Sequence, residues 1–377
     1  MTLPWLNLKV LHLYLRQSEH LGYDPANNIQ ITTTTTIRGR LPVTMDASKD
    51  RTGFKISRLC CVQGHMSKAN DIVVCRSLDT SQEKRHVIYF GGDVQDFKEN
   101  MSIYNPEYAS WDLETVARIL HTRLPGSTVF VVRPSEMLLN TFSIFRNFLS
   151  FDEDGRPEFS NNFGALIHLA QLYENAVRTV ENEVRTAENK VRSVENEVDT
   201  VQKSEKASSL SDSTDQCVAH DGDNVPLTCV GLNCSQSVST EPSLVEKVPI
   251  SLVGFSKGCV VLNQLMFELG GLKENTDVAE FLSRLEAIYW IDGGHIGRKD
   301  AYITDYDVLQ NIVNLGVRLL VHVTPYQIMD SNRPWIDIEE REFVQRLKRF
   351  GADVQEYKHF MNFKPSIKYH FKVLTQI

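Results

Sequence analysis

Residues 248–269, VPISLVGFSKGCVVLNQLMFEL, decide the fold of this chain. An apolar run typical of a buried strand ends at Gly254, a single serine follows at Ser256, and an apolar run typical of a helix begins after Gly258. A G-x-S-x-G sequence between a strand and a helix predicts a nucleophile elbow, a sharp turn that exposes the serine hydroxyl at the carboxyl edge of a sheet. Because the pentapeptide alone is weak evidence, the flanking runs carry the prediction. A structural serine in a glycine-rich turn is the alternative.

Strand and helix patterns alternate on both sides of this stretch. Alternation of this kind builds a mostly parallel sheet with helices on both faces. Together with the elbow, it predicts an α/β fold of the α/β-hydrolase type. Strands are predicted over residues 56–62, 71–76, 86–90, 127–132, 248–253, 287–291, 317–323 with an extension over 324–328, and 353–357, and helices over 111–124, 163–173, 259–269, 278–285, 305–315 and 336–350.

A heptad repeat interrupts the alternation. Apolar residues, nearly all of them valine, recur at alternating intervals of three and four from Val177 to Val201. They predict a long amphipathic helix that either lies against its own domain or forms a coiled coil, and that offers residues 174–202 to a protein partner. Residues 203–243 are polar and lack any period, which predicts a disordered linker.

These patterns predict four segments. They are a lead-in or targeting segment (1–54), the first half of the α/β domain (55–173), an insertion (174–246) and the second half of the α/β domain (247–377).

The composition argues against several classes of partner. The chain carries 40 basic and 48 acidic side chains, a net charge of −8, so no nucleic acid partner is expected. No apolar run reaches the roughly 18–20 residues of a membrane-spanning helix. Seven cysteines without a CxxC pair indicate a reducing compartment. Residues 1–16 lack acidic side chains and suit either a presequence or the first helix of the domain.

An elbow serine needs two backbone N–H donors to stabilise an oxyanion, one from the residue after it and one from the loop after an earlier strand. Lys257 supplies the first by its position. Gly92, in the Gly91-Gly92 pair after the strand 86–90, is the candidate for the second, with an ordinary glycine turn as the alternative.

The general base and its acidic partner remain a choice among four residues. His359 follows the last predicted strand directly and is preferred as base, and His370, farther on, is the alternative. Asp330 is preferred as the residue that orients the histidine, and Asp292 is the alternative. The order Ser256, Asp330, His359 is the chain order of α/β-hydrolases.

Cofactor chemistry has little support in the sequence. Asp292, His295 and Asp300 form a sparser group than hydrolytic metal sites have, so no metal is expected. No nucleotide-binding glycine motif follows a predicted strand, and no cofactor is expected.

Five stretches resemble the family of the human chromosome 2 open reading frame sixty-nine protein. They are IYFGGDVQDF (88–97), PISLVGFSKGCVVLNQL (249–265), WIDGGHIG (290–297), HVTPYQIMD (322–330) and PSIKYHFKVL (365–374). The resemblance implies a serine-hydrolase-like fold and a mitochondrial location, with a cytoplasmic location as the alternative. It implies no substrate, and the valine heptads lie outside it.

The expected function is hydrolysis of an ester, thioester or amide of unknown identity through an acyl-enzyme on Ser256. The alternative is a catalytically silent hydrolase fold that acts as a protein-binding module or scaffold.

Overall fold

The computed structural model describes residues 53–79, 81, 83–152, 155–208, 248–271, 275–295, 297 and 299–377. The predicted N-terminal segment therefore lies outside the described residues except for its last two. Of the predicted linker, residues 203–208 belong to a helix, because the preceding helix continues through them, and the remainder lies outside the described residues.

An eight-stranded mixed sheet carries the fold. Its order is β1-β2-β4-β3-β9-β10-β11-β12; β2 runs antiparallel to both of its neighbours, and the remaining neighbours pair in parallel. The predicted α/β-hydrolase-like, mostly parallel sheet is confirmed. The strands are β1 (Phe54–Gln63), β2 (Ala69–Ser77), β3 (Arg85–Phe90), β4 (Ser127–Val132), β9 (Ile250–Phe255), β10 (Leu285–Ile291), β11 (Arg318–Val323) and β12 (Val354–Lys358), with two hairpins, β5 (Glu136–Leu138) with β6 (Phe142–Ile144) and β7 (Ser150–Phe151) with β8 (Pro157–Glu158).

Helices alternate with these strands. The strand boundaries and most helix boundaries lie within about two residues of the predicted ones, a usual uncertainty for element ends. The helices are α1 (Lys98–Tyr104), α2 (Leu113–Arg123), α3 (Ala165–Ser208), α4 (Cys259–Glu268), α5 (Thr276–Ser283), α6 (Tyr306–Asn314), α7 (Pro325–Ile328), α8 (Trp335–Arg349) and α9 (Ile367–Lys372).

Strand β9 lies between β3 and β10, and all six of its residues are buried. Because successive side chains of a strand point to opposite faces, β9 and β10 contribute to two cores. On one face, Phe255 packs with helix α2 and Phe371 in a single apolar cluster. On the other face, Trp290 donates a hydrogen bond to Asn263 of α4 and packs against α8. The sheet is thus covered on both faces, as predicted.

Contacts between Cα atoms divide the chain into two compact units. Among the described residues, one unit comprises those within 53–176 and 248–377, and residues 177–208 belong to the other. Helix α3 begins in the first unit and continues into the second. Its 44 residues include the predicted heptads, so the long helix is confirmed, whereas its pairing in a coiled coil stays a prediction.

One predicted element is wrong. The extension of strand β11 over residues 324–328 is instead the short helix α7. The hydroxyl of Thr324 accepts a hydrogen bond from the Tyr326 amide, and Pro325 occupies the first helical position, where its missing N–H costs nothing. Within the described ranges, none of the helices is both long and apolar enough to cross a bilayer.

Candidate active site

Ser256 lies at a strained turn between β9 and α4. Its φ is 52°, a left-handed backbone conformation that residues other than glycine rarely adopt. The turn is tight enough to require its glycines: a Cβ at Gly258 would lie 2.0 Å from the Phe90 carbonyl oxygen, and one at Gly254 would lie 3.0 Å from the Cys259 Cα. The local geometry is that of the elbow which the sequence predicts.

A buried carboxylate follows the neighbouring strand β10. Asp292 accepts hydrogen bonds from the Thr324 amide (2.7 Å) and hydroxyl (2.6 Å), and its Oδ2 lies 2.6 Å from Nδ1 of His370. Asp292 is fully buried and His370 is 3% exposed. Three contacts, each to a group that can donate, are the pattern of an ionised carboxylate, which only accepts. Nδ1 of His370 is therefore the donor in this bond, and Nε2 is the nitrogen left to exchange a proton with another group.

His370 belongs to helix α9, which begins after Ser366; the Ser366 hydroxyl accepts a hydrogen bond from the Lys368 amide. The imidazole packs between Phe255 and Tyr326, with ring centroids 4.6 Å away in both cases. The hydrogen bond to the carboxylate and the two rings fix the orientation of the imidazole.

Ser256 and His370 line one cavity of about 50 Å³, together with Asp93, Tyr326, Gln327 and Arg333, among others. Among the described residues, no hydrogen bond joins the Ser256 hydroxyl to His370. Catalytic hydrogen bonds are often long without substrate and shorten when substrate binds. The cavity thus brings a serine hydroxyl and an oriented imidazole to the same space.

The preferred sequence candidates make other contacts. Asp330 forms an ion pair with Arg333 (2.7 Å) and accepts a hydrogen bond from the Asn332 amide. His359 bonds His322 through Nε2 (3.0 Å), and burial lowers the pKa of His359. Neither Asp330 nor His359 lines the cavity at Ser256, and the carboxylate bonded to His370 is that of Asp292. The structure thus brings together the two residues that the sequence held as alternatives.

The loop after β3 lies against the serine. A Cβ at Gly92 would lie 2.7 Å from Cβ and 3.2 Å from Oγ of Ser256, so the backbone approach predicted for this glycine is observed. Its amide, however, donates to Oε1 of Gln95 (2.9 Å), which corrects its predicted role as an oxyanion donor. Asp93 is the next residue along the loop, and its amide donates no hydrogen bond to another described residue.

Lys257, the other predicted oxyanion residue, follows Ser256 directly, and its side chain is 2% exposed. Its ammonium group lies 3.9 Å from the Asp93 carboxylate, which also accepts a hydrogen bond from the Ser143 amide (2.8 Å). Burial raises the pKa of Asp93, and the positive charge of Lys257 partly opposes that rise. An ion pair between a buried ammonium group and a partly exposed carboxylate therefore adjoins the serine.

Two of the three residues weighed as metal ligands have side chains engaged in other hydrogen bonds. Asp292 binds His370, and Nδ1 of His295 accepts a hydrogen bond from the Gly297 amide (2.9 Å). Burial, with a smaller contribution from nearby positive charges, lowers the pKa of His295 to about 4, so this imidazole is neutral at pH 7. In the part of the chain that the structure describes, no cluster of three or more histidine, cysteine or acidic side chains is arranged around a metal position.

Solved structures with a similar fold include esterases. The esterase Est22 aligns with a TM-score of 0.41 and 12% identity, over 86% of this chain and 76% of that protein. A thermostable esterase from Pseudomonas putida aligns with a TM-score of 0.38 and 10% identity, over 88% of this chain and 83% of that protein.

Sequence comparison gives a more direct relationship. The chain is 38% identical to the human mitochondrial protein C2orf69 over 292 residues, which cover 77% of this chain and 73% of the human protein. It is 36% identical to the mouse homologue over 304 residues, which cover 80% of each chain. The resemblance implies a mitochondrial location, and these relatives are named as mitochondrial proteins. The C2orf69 family model matches residues 58–353, and the chain therefore belongs to the C2orf69 family.

Proposed function

We propose that this protein is a serine hydrolase that cleaves an ester, thioester or amide through an acyl-enzyme. The observation that carries the proposal is the 2.6 Å hydrogen bond between Nδ1 of His370 and Asp292, made by a histidine that shares a cavity with the strained Ser256. Ser256 is the nucleophile, His370 the general base and then the general acid, and Asp292 orients the imidazole and stabilises its charged form.

The reaction proceeds in two halves. Nε2 of His370 takes the proton of the Ser256 hydroxyl as Oγ attacks the substrate carbonyl carbon, and the carbonyl oxygen becomes an oxyanion. The amides of Lys257 and Asp93 are our candidates for the donors that stabilise it. When the tetrahedral intermediate collapses, His370 gives its proton to the leaving group. Water then repeats the sequence and releases the acid.

Covalent labelling with a fluorophosphonate probe tests this proposal without a known substrate. We expect labelling of the wild type and none of Ser256→Ala. His370→Gln should lower the labelling rate on the order of a thousandfold, because it removes the base. His359→Gln is the matched control, since this second histidine after the last strand bonds His322, and it should label within about threefold of the wild type. Equal labelling of the wild type and Ser256→Ala would refute the proposal.

A second candidate function is that of a catalytically silent fold that binds another protein. Two observations favour it: the Ser256 hydroxyl makes no hydrogen bond to His370 within the described part of the chain, and helix α3 continues well beyond the first compact unit. The valine seam would then be the binding surface, and a second copy of the chain is its simplest partner.

Sedimentation equilibrium of the full chain tests the second candidate. If the seam pairs two copies, Val184→Glu should convert a dimer to a monomer, because it places a charge on the apolar seam, whereas Glu183→Gln, one position outside the seam, should not. A wild type that is monomeric at high micromolar concentration argues against pairing between copies.

A further inference from the structure

A buried amide oxygen in the cavity at Ser256 lacks the hydrogen-bond partner that buried polar atoms normally have. Gln327 is 2% exposed and lines the same cavity as Ser256 and His370. Its Oε1 accepts no hydrogen bond from another described residue. Since more than about 90% of buried polar groups in proteins have a partner, such an atom at a cavity indicates a group that meets its partner when a ligand or water is bound.

The position of this amide is fixed by a glycine. A Cβ at Gly294 would lie 2.6 Å from Oε1, 2.8 Å from Nε2 and 2.9 Å from Cδ of Gln327, so the whole amide group lies against the backbone of residue 294. The Gly294 amide in turn donates to the Ser256 carbonyl oxygen (3.4 Å). The amide of Gln327 is therefore held against the same loop segment that contacts the nucleophile.

The size and lining of the cavity limit what can bind. Its volume is about 50 Å³, whereas clefts that hold drug-sized ligands measure roughly 300–1,000 Å³. A long hydrocarbon chain cannot be buried in this space. The lining also includes the polar side chains of Asp93, Gln327 and Arg333.

We infer that Gln327 is a specificity-determining residue, and that the substrate carries a short acyl group with a hydroxyl or N–H donor that Oε1 of Gln327 accepts. This inference rests on the proposed function and names the substrate class for the same site. Oε1 is an acceptor, so it suits a hydroxyl or N–H group one or two atoms from the scissile carbonyl. An apolar acyl group of equal size would leave Oε1 unpaired, which costs binding energy in the transition state.

Two esters of matched size test the inference. The 4-nitrophenyl esters of 3-hydroxypropanoic and butyric acid have acyl groups with equal numbers of non-hydrogen atoms, and only the first carries a hydroxyl donor. After each kcat/KM is divided by the rate constant for hydroxide hydrolysis, we expect the wild type to favour 3-hydroxypropanoate by about tenfold, which corresponds to one hydrogen bond. In Gln327→Leu the corrected ratio should fall to about one. The decanoate ester should be a poor substrate for both proteins.

Gln310→Leu, the same substitution on helix α6 outside the cavity, is the control and should keep the wild-type ratio. The wild-type ratio stands as a test on its own if the Gln327 variant does not fold. Fluorophosphonate labelling of Ser256 with a corrected wild-type ratio of one, or with decanoate cleaved as well as butyrate, would overturn the inference and leave the proposed function intact. Absence of labelling would overturn both.

Discussion

Replacing Asp292 with asparagine changes the site by one atom, and its effect can be worked out from the contacts. Oδ1 can still accept the Thr324 amide, but an NH₂ group takes the place of Oδ2, which lies 2.6 Å from both the Thr324 hydroxyl and Nδ1 of His370. The Thr324 hydroxyl can turn and accept. Nδ1 can accept only if the ring proton moves to Nε2, and Nε2–H cannot take a proton from Ser256.

The substitution should therefore act more on reactivity than on stability. In a serine protease triad, the same exchange of carboxylate for amide stabilises the wrong tautomer and costs about 10⁴ in rate, or about 5 kcal/mol of transition-state stabilisation. Three charge-assisted hydrogen bonds become neutral ones, which costs about 1 kcal/mol each in stability. We expect Asp292→Asn to fold and to be labelled by a fluorophosphonate roughly 10⁴ times more slowly than the wild type.

The assay is the second-order rate of labelling, followed by intact-protein mass spectrometry, beside a thermal melt. Asp330→Asn is the matched control, because this carboxylate pairs with Arg333 rather than with His370, and it should label within about threefold of the wild type. If Asp330→Asn loses labelling and Asp292→Asn keeps it, the assignment of the acidic residue is refuted.

Three further predictions concern packing and charge. Gly258→Ala should prevent stable folding, or lower the melting temperature sharply, because its Cβ would lie 2.0 Å from a backbone carbonyl oxygen of the sheet; soluble expression and a thermal melt check this. Gly92→Ala should slow probe labelling more than it lowers the melting temperature, because its Cβ meets Ser256 itself. Burial raises the pKa of Glu340 from 4.5 to about 7, so its stabilising protonated form is lost as the pH rises through about 7. Urea unfolding measures the free energy of unfolding of both proteins. The value for Glu340→Gln should rise relative to that of the wild type between pH 4.5 and pH 8, by up to about 3 kcal/mol.

Much of the sheet could be predicted because its signals are local. The strands β4 and β9 are continuous apolar runs, and the helices between strands repeat their apolar residues at the helical period. Helix α1 and the two hairpins between β4 and α3 were not predicted. These elements are short, and their strands of two or three residues are too brief to show a period.

The elbow serine could also be predicted from local sequence, but the residues that the fold brings near it could not. The elbow is made by five consecutive residues, whereas the choice between two aspartates depends on where distant strands end. The sheet order places β10 directly beside β9, so Asp292 at the end of β10 lies one strand from Ser256. Asp330 follows helix α7 after β11, one strand farther away, and an arginine three residues later takes its carboxylate.

The histidine is decided by the path of the chain after the last strand. His359 follows β12 immediately, yet β12 is the edge strand, so a residue at its end remains far across the sheet from β9. The chain must return before it can reach the serine, and helix α9 makes that return by packing His370 on Phe255 and Tyr326. Proximity in sequence to the final strand is therefore a poor guide to which histidine lies near Ser256, because the edge strand lies three strands away from β9.

The sequence predicts the close approach of the Gly92 backbone to Ser256, but it does not predict the hydrogen bond that the Gly92 amide makes. Its lack of a side chain is required by the close approach of its backbone to Ser256, which is what a glycine after β3 suggests. Its amide is nevertheless taken by the side chain of Gln95, which also accepts a hydrogen bond from the Tyr89 hydroxyl. Because the bond to Gln95 engages the Gly92 amide, our proposal takes the amide of the next residue, Asp93, as the candidate oxyanion donor of this loop. A carboxylate beside that donor would oppose negative charge unless Lys257 balanced it, and the ammonium group of Lys257 lies 3.9 Å away.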